Sequence, residues 1–536
     1  MKTLVLALAF TSPLWDLGHP LWEVDDARYA EVPREMAERG DWLSPTLDYV
    51  DYIEKPPLIY WLSAASYRLF GTNEAAARLP LALFSMLGML GAWWLAAWLY
   101  GPAAGPVAAV ILGTGVQYFA FSHFITPDMA LSVSLLWTTA LALRCLRQPE
   151  DSRWAGPLAW IAAAGGVLSK GPVALLLPGL WVAALIAASP GLRKGLRPLV
   201  LNWGALGFGA AVGGWALAME AAHPGFLRFF IVEQHLLRYL TPEYNRPGPW
   251  YYFFGVELVG PMPWTPLILP AMIFPLLRWR VSDPKDRQLA LWVLGVFAFF
   301  SLSSSKLVTY ILPLFPHQAV LAAGLLEKGR DSASMRWAGR IAAALAILFV
   351  AACASGPFVL PRLHLPGNHP VALAAAALVL LGSYAAVQGS MLRSFALASA
   401  MALCADSMIL AALRCVDDRL SVRSVALEAR SRMESARARG FETSVICYDT
   451  YAHGIAFYTG GPVDLVNWVG ELYYAKRLPR FQHRFGDDNR IRELPLPGRK
   501  TFVVSATKEL PYLRSISRTW NAWSPSPSSK WSLVEY

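Results

Sequence analysis

Long apolar stretches, separated by short polar segments, recur along the chain up to about residue 413. A helix needs about 20 apolar residues to cross a bilayer. The pattern predicts about thirteen membrane spans, at 3–15, 79–99, 102–121, 128–146, 155–169, 172–188, 198–219, 251–277, 288–303, 307–326, 340–360, 370–388 and 393–413. No A-x-A cleavage site follows the short first span, which we therefore interpret as an anchor rather than a signal peptide.

The segment 16–78 has the densest mixture of charges, and it predicts two helices. In "DDARYAEVPREMAERG", Ala30, Val32 and Met36 lie among charged residues, and Gly40 ends the stretch, as in a short amphipathic helix with a glycine stop. The stretch "PPLIYWLSAASYRLFG" predicts a second helix, opened by proline and closed by glycine. We expect both helices to lie along the membrane surface.

From about residue 420 the pattern is that of a soluble α/β domain. The stretch "SVRSVALEARSRMESARARG" predicts a helix, while "TSVICYD", "PVDLVNW" and "TFVVSA" predict short strands. We therefore predict a membrane domain at 1–415 and a small α/β domain at 416–536. Within this second domain we interpret Asp449 and His453 as ordinary structural residues.

Composition supports a membrane protein. Of the 536 residues 55% are hydrophobic and only 16% are charged, and the mean hydropathy is +0.38, whereas soluble domains are about a quarter charged. The 22 Trp and 20 Tyr suit anchoring at the bilayer interface. The net charge is +10, but no long basic run or basic amphipathic helix is present, which argues against nucleic acid as a partner. The five cysteines show no metal-type spacing and predict no disulfide framework.

Lysine and arginine predict the orientation of the spans. With a cytoplasmic N-terminus, the basic segments "RCLRQPEDSR", "GLRKGLRP", "RWRVSDPKDR", "EKGRDSASMRWAGR" and "QGSMLR" all fall inside. The loops 16–78 and 220–250 and everything after 414 then lie outside. Ionisable groups near hydrocarbon are costly, so several of them on one face predict a functional site. The outer face receives Asp25, Asp26, Glu54, Lys55, Asp128, Lys170, Glu233, His235, Arg238 and Lys306.

The charged loop resembles a known family. "LWEVDDARYAEVPREMAERGDWLSP" and "YIEKPPLIYW" are closely similar to the first periplasmic loop of the bacterial lipid A aminoarabinose transferases, which belong to the GT-C superfamily with the protein O-mannosyltransferases. The likeness continues through "LSKGPVALLLPGL", "FFIVEQHLLRYL", "PGPWYYFF", "GPMPW" and "SKLVTYILP", and so covers at least the first 320 residues.

The resemblance implies a multi-span enzyme of the bacterial inner membrane with a periplasmic active site. Such an enzyme moves a sugar from an undecaprenyl-phosphate donor to a lipid-embedded acceptor. We expect 4-amino-4-deoxy-L-arabinose and lipid A as the first pair, with no organic cofactor.

The resemblance also implies roles for individual residues. Asp25 matches the catalytic aspartate, and Asp26 stands where glutamate is usual, which leaves the choice between these two carboxylates open. Asp128 is a third candidate catalytic residue. Glu54 and His235 match the ligands of a divalent metal such as zinc, although two protein ligands leave its presence open. The predicted pocket for the carrier and its phosphate comprises Tyr52, Lys55, Arg238, Lys306 and Tyr310.

Elementary chemistry is consistent with these roles. A polyprenyl phosphate is a good leaving group that needs cations such as Lys55, Arg238 and Lys306 to neutralise its charge. A carboxylate opposite it can orient or deprotonate the acceptor. Hexosyl or other sugar transfer to polysaccharide or protein is the alternative within the same class. A transporter or flippase of a polyprenyl-linked saccharide is the alternative outside it, but charge at one membrane face without an internal repeat favours the enzyme.

Overall fold

The structure of the chain is a computed structural model that describes residues 2–241, 248–329, 341, 344, 391–414, 417–517, 521–526 and 529–536. Its contacts divide the chain into two compact units. We call the first the membrane unit, made of Met1–Trp15, Glu54–Ile59 and Pro80–Ala412. We call the second the loop–tail unit, made of Asp16–Ile53, Tyr60–Leu79 and Leu413–Tyr536.

This division differs from the predicted domains in one respect. Its boundary at 412/413 is close to the predicted one at 415/416, but the first charged loop groups with the tail. Backbone hydrogen bonds explain the grouping, since Glu23 N donates to Leu420 O at 2.8 Å and Val463 N donates to the Asp48 carboxylate at 2.7 Å. The catalytic and periplasmic labels of the two domains stay predictions.

Helices dominate the described residues up to 414. Four of the described helices are long and apolar enough to cross a membrane, namely Glu74–Tyr100, Pro127–Arg147, Trp203–Ala222 and Val308–Lys328. The last two contain a π-helical segment at Gly209–Gly213 and a 3₁₀ segment at Val308–Leu314, respectively. The other helical segments are Lys2–Thr11, Ser12–Leu14, Asp25–Arg39, Leu58–Phe70, Ala104–Gly113, Val116–Phe121, Pro149–Asp151, Ser152–Lys170, Val173–Ala188, Pro190–Gly195, Leu196–Val200, Phe226–Arg228, Phe229–Leu237, Arg238–Leu240, Tyr252–Val259, Thr265–Leu277, Pro284–Leu302 and Met391–Arg414.

Two predicted spans are wrong as single helices. The span 102–121 breaks at Thr114, whose hydroxyl donates to Val110 O and accepts from Trp264 Nε1. The span 251–277 breaks at "GPMPW", where two prolines lack the N–H that a continuous helix needs. The predicted spans 340–360 and 370–388 lie outside the described residues, so the number of spans stays a prediction.

The Pro127–Arg147 helix occupies the core of the membrane unit and is almost wholly buried. Ser132 donates a hydrogen bond to Leu312 O at 3.1 Å, and Thr139 lies 2.8 Å from His317 Nε2. These contacts fix the helix against Val308–Lys328. Because Asp128 opens one of these helices and Tyr310 lies near the start of the other, the packing positions both residues.

The tail forms an α/β domain, which confirms the three predicted strands and the predicted helix. A hairpin of β1 (Thr46–Leu47) and β2 (Val50–Asp51) precedes it. The six-stranded sheet has the order β5-β4-β3-β6-β8-β7, parallel from β5 to β6 and antiparallel at β8 and β7. Its strands are β3 (Glu442–Tyr448), β4 (Asp464–Val466), β5 (Phe485–Gly486), β6 (Arg499–Ala506), β7 (Asn521–Trp523) and β8 (Trp531–Glu535).

Helices pack on both faces of this sheet. Arg423–Ala438 contacts β3, β6 and β8 on one face, while Ile491 and Leu513 join the apolar core on the other. Burial on both faces explains the unbroken apolar runs "VICY" in β3 and "FVV" in β6. The further helical segments of the tail are Asp417–Leu420, Gly454–Thr459, Gly470–Leu472, Tyr473–Lys476, Pro479–Arg484, Asn489–Arg492, Thr507–Glu509 and Leu510–Ile516.

The helix Asp25–Arg39, which we call the first-loop helix, ends as predicted. Gly40 has a φ of +69°, and its N–H bonds Met36 O at 3.0 Å, a left-handed stop that suits glycine. Most of its charged side chains are buried within the protein, while its placement along the membrane surface stays a prediction. Arg34 pairs with Glu31 at 2.6 Å, and Glu35 accepts from Thr46 at 2.5 Å. These buried charges are tolerated because they are paired or hydrogen-bonded.

Candidate active site

The residues of the predicted site are distributed over both units. Asp25, Asp26 and Tyr52 belong to the loop–tail unit. The others belong to the membrane unit and are Glu54, Lys55, Asp128, His235, Arg238, Lys306 and Tyr310.

Lys170 joins two predicted residues of the membrane unit. Its ammonium forms an ion pair with the buried Asp128 carboxylate. The same Nζ lies 4.6 Å from the centroid of the Tyr310 ring, within cation–π range. From the sequence, Lys170 was predicted to be one of the ionisable groups of the outer face, but it was assigned no role in the site.

His235 packs against the backbone that follows Lys170. Its Nε2 lies 2.9 Å from Lys170 O and its Nδ1 lies 2.6 Å from Phe230 O. Gly171 has a φ of +103°, and a Cβ there would come within 2.4 Å of His235 Nε2. Glycine in "SKGP" is thus required both by the backbone and by the imidazole ring beside it.

Further cations act on this histidine. Burial lowers the pKa of His235, and the positive charges of Lys55 and Arg238 lower it further, while the Lys170 and Phe230 carbonyls oppose the change. We call Lys55, Lys170 and Arg238 the basic cluster. Its three cations have the charge needed to bind an anionic group such as a phosphate.

Lys55 and Arg238 are both half-buried. Lys55 Nζ lies 3.9 Å from Glu54 Oε2, a loose ion pair, and Arg238 Nη1 lies 3.2 Å from Gln234 Oε1. These contacts hold both side chains in place.

The predicted metal ligands do not fit a metal in their present arrangement. A histidine binds zinc through an unprotonated ring nitrogen, whereas both nitrogens of His235 face carbonyl acceptors. In the described part of the chain, no group of three or more His, Cys, Asp or Glu side chains is placed to hold a metal. Zinc binding by Glu54 and His235 stays a prediction.

Lys306 lies at the C-terminal end of the Pro284–Leu302 helix. Its ammonium bonds Phe300 O at 3.1 Å, Ser301 O at 2.7 Å and also Ser303 O. These contacts use all three ammonium donors and satisfy carbonyls that the helix end leaves open. The geometry therefore favours a capping role, and the predicted contact with the carrier phosphate requires Lys306 to leave these carbonyls.

In the loop–tail unit, Asp26 is a structural carboxylate. It forms an ion pair with Arg78, whose side chain is 0% exposed, and it accepts a hydrogen bond from Trp22 N at 3.1 Å. Arg78 also donates to Leu17 O at 2.9 Å and His19 O at 2.5 Å. Asp26 and Arg78 thus anchor the chain entering the first-loop helix.

Its neighbour Asp25 is the accessible carboxylate of the two. The Asp25 side chain is 43% exposed and forms an ion pair with Arg28. The Arg28 guanidinium carbon also lies 6.0 Å from the centroid of the Tyr52 ring. Arg28 therefore connects two predicted site residues, Asp25 and Tyr52. This role could not be predicted from the sequence, because Arg28 is one of many charged residues in the first loop. The geometry favours Asp25 over Asp26 as the reactive group.

Comparison with known proteins identifies the class of the chain. The structure is similar to the crystal structure of ArnT from Cupriavidus metallidurans bound to undecaprenyl phosphate, with a TM-score of 0.82, 24% identity, and coverage of 99% of this chain and 97% of that chain. Residues 54–212 match the family described as dolichyl-phosphate-mannose-protein mannosyltransferase. The chain has the GT-C fold of multi-span membrane glycosyltransferases.

Curated relatives show which transferases the chain is similar to. Over 378 residues the chain is 32% identical to the undecaprenyl phosphate-alpha-4-amino-4-deoxy-L-arabinose arabinosyl transferase of Pectobacterium carotovorum subsp. carotovorum, covering 68% of this chain and 66% of the relative. It is 30% identical over 335 residues to the protein of the same name from Edwardsiella ictaluri, covering 60% and 59%. The chain is similar to these aminoarabinose transferases, and it spans somewhat less than two thirds of each relative's length.

Proposed function

We propose that this chain transfers a sugar from an undecaprenyl-phosphate carrier to a lipid-embedded acceptor at the periplasmic face of the bacterial inner membrane. The sugar is 4-amino-4-deoxy-L-arabinose, which the name of the relatives states, and the first acceptor is lipid A, which the resemblance of the first charged loop implies. The observation that carries the proposal is the basic cluster, in which Lys55 and Arg238 act on His235 and the backbone carbonyl of Lys170 lies 2.9 Å from it, in a unit built of apolar helices.

The basic cluster serves the departing phosphate. An acceptor oxygen forms the new bond to C1 of the sugar as the bond from C1 to the carrier oxygen breaks. The electron pair stays on that oxygen, and the carrier leaves as undecaprenyl phosphate. Fixed cations lower the barrier because they stabilise negative charge as it develops.

Asp25 serves the acceptor and the sugar. A carboxylate can stabilise the oxocarbenium-like charge that develops at the sugar ring. A phosphate acceptor on lipid A needs little deprotonation, so Asp25 then acts by orientation and electrostatics. With a hydroxyl acceptor, Asp25 takes the proton.

Asp128 acts through Lys170 rather than on the substrate. Its carboxylate is buried and engaged by the Lys170 ammonium, so it fixes the direction in which that cation points. The Tyr310 ring beside Lys170 restricts the same side chain. We therefore assign Asp128 and Tyr310 to positioning the basic cluster.

Purified protein in nanodiscs with undecaprenyl phosphate-aminoarabinose and lipid A tests the proposal. Mass spectrometry of both lipids should show aminoarabinose on lipid A and free undecaprenyl phosphate, with Asp25→Asn as the inactive control. Product formation only with a hexosyl carrier or a polysaccharide acceptor would replace the substrate pair. Carrier that crosses the bilayer with its sugar bond intact would support a flippase and overturn the proposal.

A further inference from the structure

Two tail residues meet a residue of the first-loop helix inside the loop–tail unit. The His453 side chain is 1% exposed, and its Nε2 hydrogen-bonds the Glu471 carboxylate. The same carboxylate oxygen, Oε1, accepts a hydrogen bond from Arg28 Nη1 at 3.0 Å. On its other side, Arg28 pairs with Asp25.

Glu23 lies at the opposite end of this arrangement. Its carboxylate accepts hydrogen bonds from His453 N and Gly454 N, each at 2.8 Å. Glu23 Oε2 also lies 3.4 Å from His453 Nδ1, an ion-pair distance that is long for a hydrogen bond. The groups therefore alternate in the order Glu23, His453, Glu471, Arg28 and Asp25.

The charge of His453 completes the alternation. Burial alone would lower the pKa of His453, but the Glu471 and Glu23 carboxylates outweigh it and raise that pKa to about 9. Tyr451, whose ring centroid lies 4.3 Å from that of His453, also faces the imidazole. At neutral pH the imidazolium therefore separates two carboxylates that would otherwise repel each other.

We propose that Glu471 is a positioning residue for sugar transfer, which holds the Arg28 guanidinium and through it the Asp25 carboxylate. His453 supports it by holding Glu471 in the orientation that Arg28 requires. The inference rests on the proposed function, because it assumes that Asp25 takes part in transfer. It gives the tail a role in catalysis without any contact with the substrate.

The first test is the kcat of Glu471→Gln, which keeps the shape of the side chain but removes its charge. We expect kcat to fall about tenfold or more, because small errors in the placement of a reacting group are costly, with little change in the KM for the carrier. The matched control is Glu434→Gln, which alters an exposed ion pair with Arg430 in the same unit and should keep the wild-type rate.

A double variant separates positioning from general damage. If Glu471 acts through Arg28, the variant Arg28→Gln/Glu471→Gln should be no slower than Arg28→Gln alone. Losses that multiply would overturn the inference. Should Glu471→Gln fail to fold, Glu471→Asp keeps the charge, and it should show the wild-type melting temperature with a reduced kcat.

The pH dependence supplies a readout apart from turnover. Because the pKa of His453 is raised from 6.5 to about 9, its stabilising contribution is present below about pH 6.5 and is lost as pH rises through about 9. The wild-type melting temperature should fall across that range, and His453→Gln should remove most of this fall.

If the wild-type enzyme transfers sugar and Glu471→Gln keeps the full rate, the inference is wrong but the proposed function stands. If the wild-type enzyme transfers no sugar, the proposed function is wrong and the inference fails with it.

Discussion

The two units of this protein neutralise their buried charges differently. In the loop–tail unit, arginines pair with carboxylates, as in Arg78 with Asp26 and Arg484 with Asp48. In the membrane unit, Lys306 bonds only carbonyl oxygens among the described residues, and Lys170 meets one carboxylate. An arginine fork binds a carboxylate at a fixed geometry, whereas a lysine is a compact point charge with freely rotating donors.

This difference separates framework from function. Paired arginines and carboxylates in the loop–tail unit cancel each other and hold the chain in place. A lysine ammonium has three rotating donors, so Lys170 can hold Asp128 with one of them and offer the others to a phosphate. Variants at Asp26, Asp25, Lys170 and Lys306 test this separation.

The largest effect is expected on stability, from Asp26→Asn. Removing one partner of a buried ion pair leaves Arg78 without compensation, at a cost of roughly 3–5 kcal/mol. The apparent melting temperature in detergent should therefore fall by more than about 5 °C. Glu434→Gln, in an exposed pair, should change it by less than about 1 °C. An unchanged melting temperature for Asp26→Asn would mean that the pair is not part of the framework.

Asp25→Asn should show the opposite behaviour. Its side chain is 43% exposed, so the melting temperature should stay near that of the wild type. Loss of roughly 3 kcal/mol of transition-state stabilisation means about a hundredfold or more in kcat. Single-turnover transfer in nanodiscs measures this loss. If the stable variant keeps its rate, Asp25 is not the working carboxylate.

Lys170→Gln should weaken binding of undecaprenyl phosphate by about tenfold, because one charge-assisted contact to the phosphate is lost. If Asp128 acts only through Lys170, the double variant Lys170→Gln/Asp128→Asn should bind no more weakly than Lys170→Gln. Calorimetric titration of the carrier into nanodisc-embedded protein measures both. A further tenfold loss in the double variant would assign Asp128 a role of its own.

The smallest effect is expected from Lys306→Met. Loss of the cap at the end of Pro284–Leu302 should reduce stability by about 1 kcal/mol, while carrier affinity should change by less than about twofold. The same titration, run beside a thermal melt, distinguishes the two effects. A tenfold loss of carrier affinity at wild-type stability would instead restore Lys306 to the carrier pocket.

Local features of this chain could be predicted from short-range pattern. The stop at Gly40, the strand "TSVICYD" and the apolar helix Pro127–Arg147 all depend on residues within a few turns or strand pairs. The motif around "DDARYAE" and "EKPP" was sufficient to identify the family, which sequence comparison confirmed. The two prolines of "GPMPW" can be read from the sequence, but they lie within one long apolar stretch, which was therefore predicted as a single span.

Which charged groups meet was decided by the tertiary structure. Arg28 and Glu471 are separated by 443 positions, and Asp128 and Lys170 by 42. No periodicity links such residues, because their contact depends on how the intervening helices and strands pack. For the same reason the sequence predicted the first-loop helix from its amphipathic pattern but did not predict the burial of its charges. Burial of those charges is stable because each is paired or hydrogen-bonded, as Arg34 is by Glu31 of the same helix and Asp26 is by the distant Arg78.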